Sequence, residues 1–352
     1  MATVKELMDA QNKASKTTIG AIGLEVGDPE RLPSDIFSLD LAIGGGMPLG
    51  RCILIYGMEA SMKTTLALKL IASHQRTQPD KVCVFIDIEG HLSQSWATAF
   101  GVDWSKLMYV RPSNGEQAVD LCEAMVMADD VGVIVFDSIA ALVTQGELDK
   151  GAEDVIVGKA GILVNKLYRK IGHAFTHAAQ DKHYPMVVFI NQIRFKIGVM
   201  FGSPETLPGG PSINQFLSSL TLRVSAKDKF IKETDKLPSY KVINVTVKKH
   251  KVPILNQNCE YTIALRDIPE LGLKLGDSYS WNTILIYLKK LSLLTQATKG
   301  WELSALVAGV KTQWATQDEL KARYHADHEF ASKVRKTIIG RALTEGDPVE
   351  GE

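Results

Sequence analysis

Residues 52–65 read CILIYGMEASMKTT. Five mostly apolar residues run into a glycine, a short polar turn, and a Lys-Thr-Thr that opens the helically spaced run LALKLIASHQ. This strand–turn–helix follows the phosphate-loop pattern GxxxxGK[ST], with one departure: Met62 stands where the second glycine is expected. Gly57 lets the chain turn off the strand. Met58, Glu59, Ala60, Ser61 and Met62 then form a loop whose backbone N–H groups, with the helix N-terminus behind them, make an anion cradle. Lys63 is placed to reach β- and γ-phosphates, Thr64 to set its hydroxyl on Mg²⁺, and Thr65 completes the cradle. The implied ligands are ATP and Mg²⁺.

Working outward, further apolar runs lie at 81–87 (KVCVFID), 107–110 (LMYV), 131–138 (VGVIVFDS) and 186–192 (MVVFINQ). Helical patterns at Lys63–Gln75, Glu116–Met127 and about Val157–Ala179 separate them. Strands apolar on both faces, alternating with helices, predict an α/β fold with a doubly wound, mainly parallel sheet. LSSLTLRVS, YKVINVTVKK and NCEYTIAL then read as strands joined by lysine-rich turns, suited to antiparallel hairpins. From about residue 270, WNTILIYLKKLSLL and a charged helix over Glu319–Leu343 predict a small helical or α/β module. The expected organisation is an N-terminal oligomerisation segment (1–32, with a short helix at Thr3–Ala14), a core (33–268), a C-terminal domain (269–343) and an acidic tail (344–352).

Composition narrows the function classes. At 352 residues, 45% hydrophobic and 23% charged, the chain can bury a sizeable core. No apolar run is long enough to span a bilayer and the N-terminus lacks a signal-peptide pattern, so the expected setting is cytoplasmic, with no membrane partner. Formal net charge is zero, so nucleic-acid binding has to rest on a local surface such as lysine-rich Lys227–Lys251. Cys52, Cys83, Cys122 and Cys259 form no CxxC and read as reduced thiols. His173 and His177 are spaced i, i+4 but lack the glutamate of a zinc-protease motif, and read as structural.

Three strand ends carry the remaining chemistry. Asp137 is placed to hold the Mg²⁺ shell. Glu89, two residues past Asp87, is placed to orient a water on the γ-phosphate. Gln192 ends the strand leading into NQIRFKIGVMFGSPETLPGG (191–210), whose glycines, prolines and cations exclude a core role. An amide there feels the terminal phosphate and passes its loss to the loop, a switch by ordering and melting. The expected catalytic set is Glu89, Lys63 and Gln192. In the loop, Arg194 and Lys196 suit phosphates, Phe195 and Ile197 suit wedging between bases, and Gly198, Gly209 and Gly210 allow close backbone approach. A lid over a metabolite is the competing reading of such a loop.

With these pieces in place, the chain resembles the RecA family of homologous recombinases over about residues 33–295. The resemblance rests on SLDLAIGGGMPLGR (38–51), Glu89, VIVFDSIAAL (133–142) and above all NQIRFKIGVMFGSPET followed by Gly209-Gly210. It implies a RecA-type ATPase core that forms helical filaments on single-stranded DNA, pairs it with a homologous duplex and exchanges strands, with single-strand-binding and loader proteins as accessory partners. It further implies that Trp96 packs on adenine, that Lys249 and Lys251 reach into the neighbouring subunit's ATP site, and that a first DNA loop spans about Asp149–Val157 with Arg169 as a phosphate contact after it. Met62, and Ser93 where a base-contacting aspartate is common, depart from the bacterial pattern and suggest a phage-encoded (UvsX-like) or divergent member. A hexameric DNA helicase or branch-migration ATPase, and a non-hydrolysing ATP-gated scaffold, are the alternatives.

Overall fold

A computed structural model describes residues 2–15, 28–149, 159–180, 183–195, 204–232, 235–269, 272–309 and 312–345. Its main sheet contains β1 (Cys52–Gly57), β2 (Val82–Asp87), β3 (Leu107–Val110), β4 (Val131–Asp137), β5 (Met186–Gln192), β6 (Leu220–Lys229), β7 (Tyr240–His250), β8 (Asn258–Ala264) and β9 (Ser278–Tyr279). The nine strands among the described residues lie in the order β9-β8-β7-β6-β1-β5-β4-β2-β3. Strands β6 to β3 in that order are mutually parallel, and β7, β8 and β9 continue the sheet antiparallel.

The nearly unbroken apolar character of β1, β2, β4 and β5 has a direct cause. Alternate residues point to opposite faces, and here both faces are covered. Ile53, Ile55, Val133, Val135, Val188 and Ile190 enter one core cluster. Leu54, Ile134, Phe136, Val187 and Phe189 enter the other. Helix α3 (Lys63–Thr77) contributes Leu66, Leu70 and Ile71 to the first. Helices α5 (Gly115–Met127) and α6 (Lys159–Gln180) supply Val119, Cys122, Leu163, Leu167 and Ile171 to the second. Full burial of such a side chain contributes about 1.5–3 kcal/mol, so the two layers hold the strand ends in fixed register. That register sets Gly57 beside Gln192 and Val224, and Asp87 beside Asp137, along the carboxyl edge of the sheet.

Around this core lie α1 (Val4–Ser15), α2 (Phe37–Ala42) and α4 (Gln94–Ala99). The C-terminal part is mixed rather than purely helical. It comprises α7 (Trp281–Lys290), a three-stranded antiparallel sheet (Leu294–Gln296, Trp301–Leu303, Thr312–Trp314), α8 (Gln317–Ala326) and α9 (His328–Glu345). The helix expected without interruption over Glu319–Leu343 is two. The N–H of Asp327 closes α8 on the Arg323 carbonyl, and its carboxylate accepts the Phe330 N–H in the first turn of α9. Trp281, Tyr324, Phe330, Val334 and Ile338 form a separate core, into which α2 inserts Phe37 and Leu41. Among the described residues no helix is long and apolar enough to cross a membrane.

Candidate functional site

Strand β1 ends at Gly57, where a Cβ would meet the Val224 carbonyl oxygen at 2.1 Å and Ser61 Oγ at 2.7 Å, so only glycine fits. The loop then takes two left-handed residues that are not glycine, Ala60 (φ 56) and Met62 (φ 70). Each costs roughly 1 kcal/mol or more. Met62 is the N-cap of α3, and its carbonyl accepts the Leu66 N–H. Its side chain rests against the core cluster under α3, the packing that a glycine would lack. Lys63 is almost fully buried, its ammonium donating to the Met58 carbonyl at 2.7 Å and to Ser61 Oγ at 3.4 Å. Burial lowers its pKa, opposed by Asp137, Glu89 and Glu59.

Thr64 Oγ1 donates to Asp137 Oδ2 at 2.7 Å, joining the first turn of α3 to the end of β4. Burial pushes the Asp137 carboxyl up to about 7, with Glu89 and Asp87 adding to it and the Thr64 hydroxyl and Lys63 opposing. A buried carboxylate beside a hydroxyl is the oxygen donor set that Mg²⁺ takes when waters and phosphates complete its octahedron. The pair therefore fits that ion. Among the described residues no group of three or more His, Cys, Asp or Glu could hold a metal unaided.

Glu89 hangs from a turn built by Asp87. The Asp87 carboxylate accepts the N–H of Gly90 at 2.7 Å, that of Leu92 at 3.1 Å and the Tyr109 hydroxyl at 2.8 Å. Gly90 is left-handed (φ 71), and a Cβ there would strike Arg111. The Glu89 carboxylate in turn accepts Gln192 Nε2 at 2.9 Å and the Ser138 hydroxyl through one oxygen. Residues 103 apart in the chain thus meet directly. Sequence reasoning missed Ser138 and the bracing role of Asp87; the position of Ser138 directly after the strand-end Asp137 was the available signal.

The long loop leaves the sheet through Arg194–Phe195 and returns through Glu205–Thr206, and these pair antiparallel. Its base is fastened at several points. Arg194 Nη2 donates to the Ala140 carbonyl (3.2 Å), Arg223 Nη2 to Glu205 Oε1 (2.6 Å), and Asn191 Nδ2 to the Pro208 carbonyl (3.0 Å). Gly209 (φ 87) closes the return, where a Cβ would lie 2.9 Å from Ile139, and Gly210 follows at φ 69. Phe195 is 55% exposed. Lys196, Ile197 and Gly198 lie outside the described residues, as does the expected first DNA loop beyond Asp149. Arg169 is exposed on α6.

The other residues singled out in the sequence have definite positions. Trp96 sits on α4, 37% exposed, with its ring 4.8 Å from that of Phe100. Ser93 is the N-cap of α4, accepting the Trp96 N–H at 3.2 Å. Within its own chain the Lys249 ammonium donates to the carbonyls of Gln215 and Ser218, and that of Lys251 to Phe216 at 3.1 Å, capping the short helical segment Ser212–Leu217. Residues 247–250 are the end of β7 and pair with β6. His173 and His177 are exposed with their rings 5.1 Å apart.

A P-loop whose lysine lies beside a strand-end aspartate, with a carboxylate bridged to the base of a glycine-rich loop, is matched by known sequences. The profile of the RecA N-terminal domain covers residues 3–267. The chain belongs to the RecA family. Protein RecA of Bartonella quintana is 39% identical over 268 residues, 73% of this chain and 74% of that one. Protein RecA of Aquifex aeolicus is 40% identical over 263 residues (72% and 73%), and that of Aquifex pyrophilus 37% over 277 (75% and 77%). These relatives are bacterial and lend no support to the phage-type origin expected from Met62. The crystal structure of the RadB recombinase aligns with 70% of this chain at 21% identity and a TM-score of 0.47, too distant to add to the sequence match. As a RecA-family protein the chain is an ATP-dependent DNA recombinase with DNA-dependent ATPase activity.

Proposed function

We propose that Glu89, Lys63 and Gln192 form the catalytic and signalling group of this recombinase. Gly57 to Thr65 cradle the triphosphate, and Lys63 leaves its loop carbonyl for the β- and γ-phosphates. Thr64 and Asp137 hold Mg²⁺, whose positive charge, when bound, offsets charge on the phosphate oxygens. Glu89 orients water for in-line attack on the γ-phosphorus; the bond to the β,γ-bridging oxygen breaks, and ADP and inorganic phosphate leave. Gln192 exchanges its bond to Glu89 for one to the γ-phosphate, and its strand end carries that change into the loop.

The loop then orders around single-stranded DNA. Arg194 and Lys196 take phosphates, Phe195 and Ile197 enter between bases, and Gly198, Gly209 and Gly210 let the backbone approach. Arg169 adds a phosphate contact. Base pairing with the incoming homologous duplex supplies sequence specificity, so the protein needs no base readout. Trp96 packs on adenine, and Lys249 and Lys251 complete the ATP site of the next protomer in a filament. Residues 1–32 dock on that neighbour, 33–268 are the motor, 269–343 the accessory domain, and 344–352 an acidic tail.

The observation that carries this reading is the direct Gln192–Glu89 hydrogen bond, which ties the hydrolytic carboxylate to the base of the loop. Phosphate release with and without single-stranded DNA, on the wild type and on Glu89→Gln, tests it. DNA-stimulated release that the substitution abolishes is expected. Release that survives Glu89→Gln refutes the assignment.

A further inference from the structure

The lysine-rich stretch Lys227–Lys251 reads in sequence as a surface for nucleic acid, but one of its lysines faces the P-loop. Lys241, the second residue of β7, donates from its ammonium to the Ala60 carbonyl at 3.1 Å. The same nitrogen lies 3.1 Å from the Asp228 carboxylate, and the side chain is only 15% exposed. Asp228 and Lys241 are direct cross-strand partners in the β6–β7 ribbon. That ribbon also touches the loop at its start, where the Val224 carbonyl leaves no room for a Cβ on Gly57. One hairpin thus holds both the foot and the crest of the loop.

The crest is where support is needed. Ala60 and Met62 both take left-handed backbone, at φ 56 and 70, without being glycine. A loop with two such residues has a standing tendency to relax to φ < 0, which would turn its peptide planes away from the phosphates. We infer that Lys241 is a positioning residue for ATP: its ammonium, oriented by Asp228, clamps the Ala60 carbonyl and keeps the P-loop in the binding conformation. In a trans peptide the C=O and the following N–H point opposite ways. Holding the Ala60 oxygen toward β7 therefore turns the Ser61 N–H to the other side of the loop, where the phosphates lie. A charged donor on a neutral carbonyl is a strong form of this bond. Lys241 does not contact the reacting atoms, so it governs how well ATP is bound and not how fast it is cleaved.

The inference rests on the P-loop being the nucleotide cradle, and the experiment separates the two. Binding of a fluorescent ATP analogue and steady-state ATPase are measured for the wild type, Lys241→Met, Lys241→Arg, Ala60→Gly, Ala60→Gly/Lys241→Met and Lys63→Ala. Lys241→Met is expected to raise Kd and KM about five- to tenfold with kcat within about twofold, the loss of one charge-assisted hydrogen bond. Lys241→Arg retains wild-type KM within about twofold. On the Ala60→Gly background, where left-handed backbone costs little, Lys241→Met raises KM less than about twofold, the non-additivity of two residues acting on one peptide. An unchanged KM in Lys241→Met overturns the inference, as does an equal rise on both backgrounds or a loss confined to kcat. Undiminished analogue binding in Lys63→Ala instead overturns the P-loop reading itself.

Discussion

Two side chains donate hydrogen bonds to Glu89, and they make different demands on it. Gln192 binds it from the loop strand and Ser138 from the strand end beside it. If Glu89 is the proposed catalytic carboxylate, Glu89→Gln keeps the shape but cannot polarise water, so turnover should fall by roughly 100-fold or more with analogue binding retained. Ser138→Ala removes one donor and leaves the carboxylate less well aimed. A kcat drop of about three- to tenfold with KM changed less than twofold is expected, read from the same phosphate-release assay. A third residue bears on stability. Asp40 in α2 is buried, accepts Ser34 N–H (2.8 Å) and Oγ (2.6 Å), and is pushed up to about 7 by that burial, with those Ser34 hydrogen bonds and then Arg335 opposing. Its folded value lies above its ordinary 3.8, so between those values the folded chain keeps a proton that the unfolded chain has lost. The stability it contributes is full below the ordinary value and is lost as pH rises toward 7, at up to about 1.4 kcal/mol per pH unit. Asp40→Asn should flatten that slope; denaturant unfolding of both proteins across pH 4.5–8 reads the difference, and parallel curves would contradict it.

Among elements, packing between α3 and β4 depends on one small residue. A Cβ on Gly132 would lie 2.2 Å from two ring atoms of His74, a fully buried ring that also meets Cys83 Sγ at 3.4 Å. The ring has nowhere to go, so Gly132→Ala should cost about 1–3 kcal/mol, seen as a lower urea midpoint at unchanged slope. Elements of this kind also show what was legible in the sequence. Strands β1, β2, β4 and β5 could be read because both faces are buried and the residues are nearly all apolar. The strand–turn–helix at Cys52–Thr77 and the acidic strand ends at Asp87 and Asp137 could be read because each is local. The break at Asp327 could not, because the charged helical pattern runs on through it and only the cap contacts mark the stop. Nor could Ser138 on Glu89 or Lys241 on Ala60, whose partners lie 49 and 181 residues away and are brought together only by strand order. The Arg194–Phe195 and Glu205–Thr206 pairing is too short to leave an alternation pattern.

Over the whole molecule, the sheet's carboxyl edge joins the loop after β1 to the glycine-rich loop after β5 through a few rigid links. Gly57 and Gln192 are register partners on adjacent parallel strands. The Ile193 N–H donates to the Gly57 carbonyl at 3.1 Å, so the first residue of the P-loop and the first residue after β5 share a hydrogen bond. Arg223, one residue before the Val224 that packs on Gly57, holds the return arm at Glu205. A change at the terminal phosphate of a nucleotide held in the P-loop would therefore have a short path to both arms. If it is the source of DNA affinity, nucleotide state should set how tightly DNA is held. The most direct measurement is fluorescence anisotropy of a labelled single-stranded oligonucleotide with the wild type and Gln192→Ala, each with a non-hydrolysable ATP analogue, with ADP, or without nucleotide. Binding at least about tenfold tighter with the triphosphate analogue, reduced to less than about twofold in Gln192→Ala, is predicted. Equal binding in all three nucleotide states, or a full triphosphate effect in Gln192→Ala, would contradict the account.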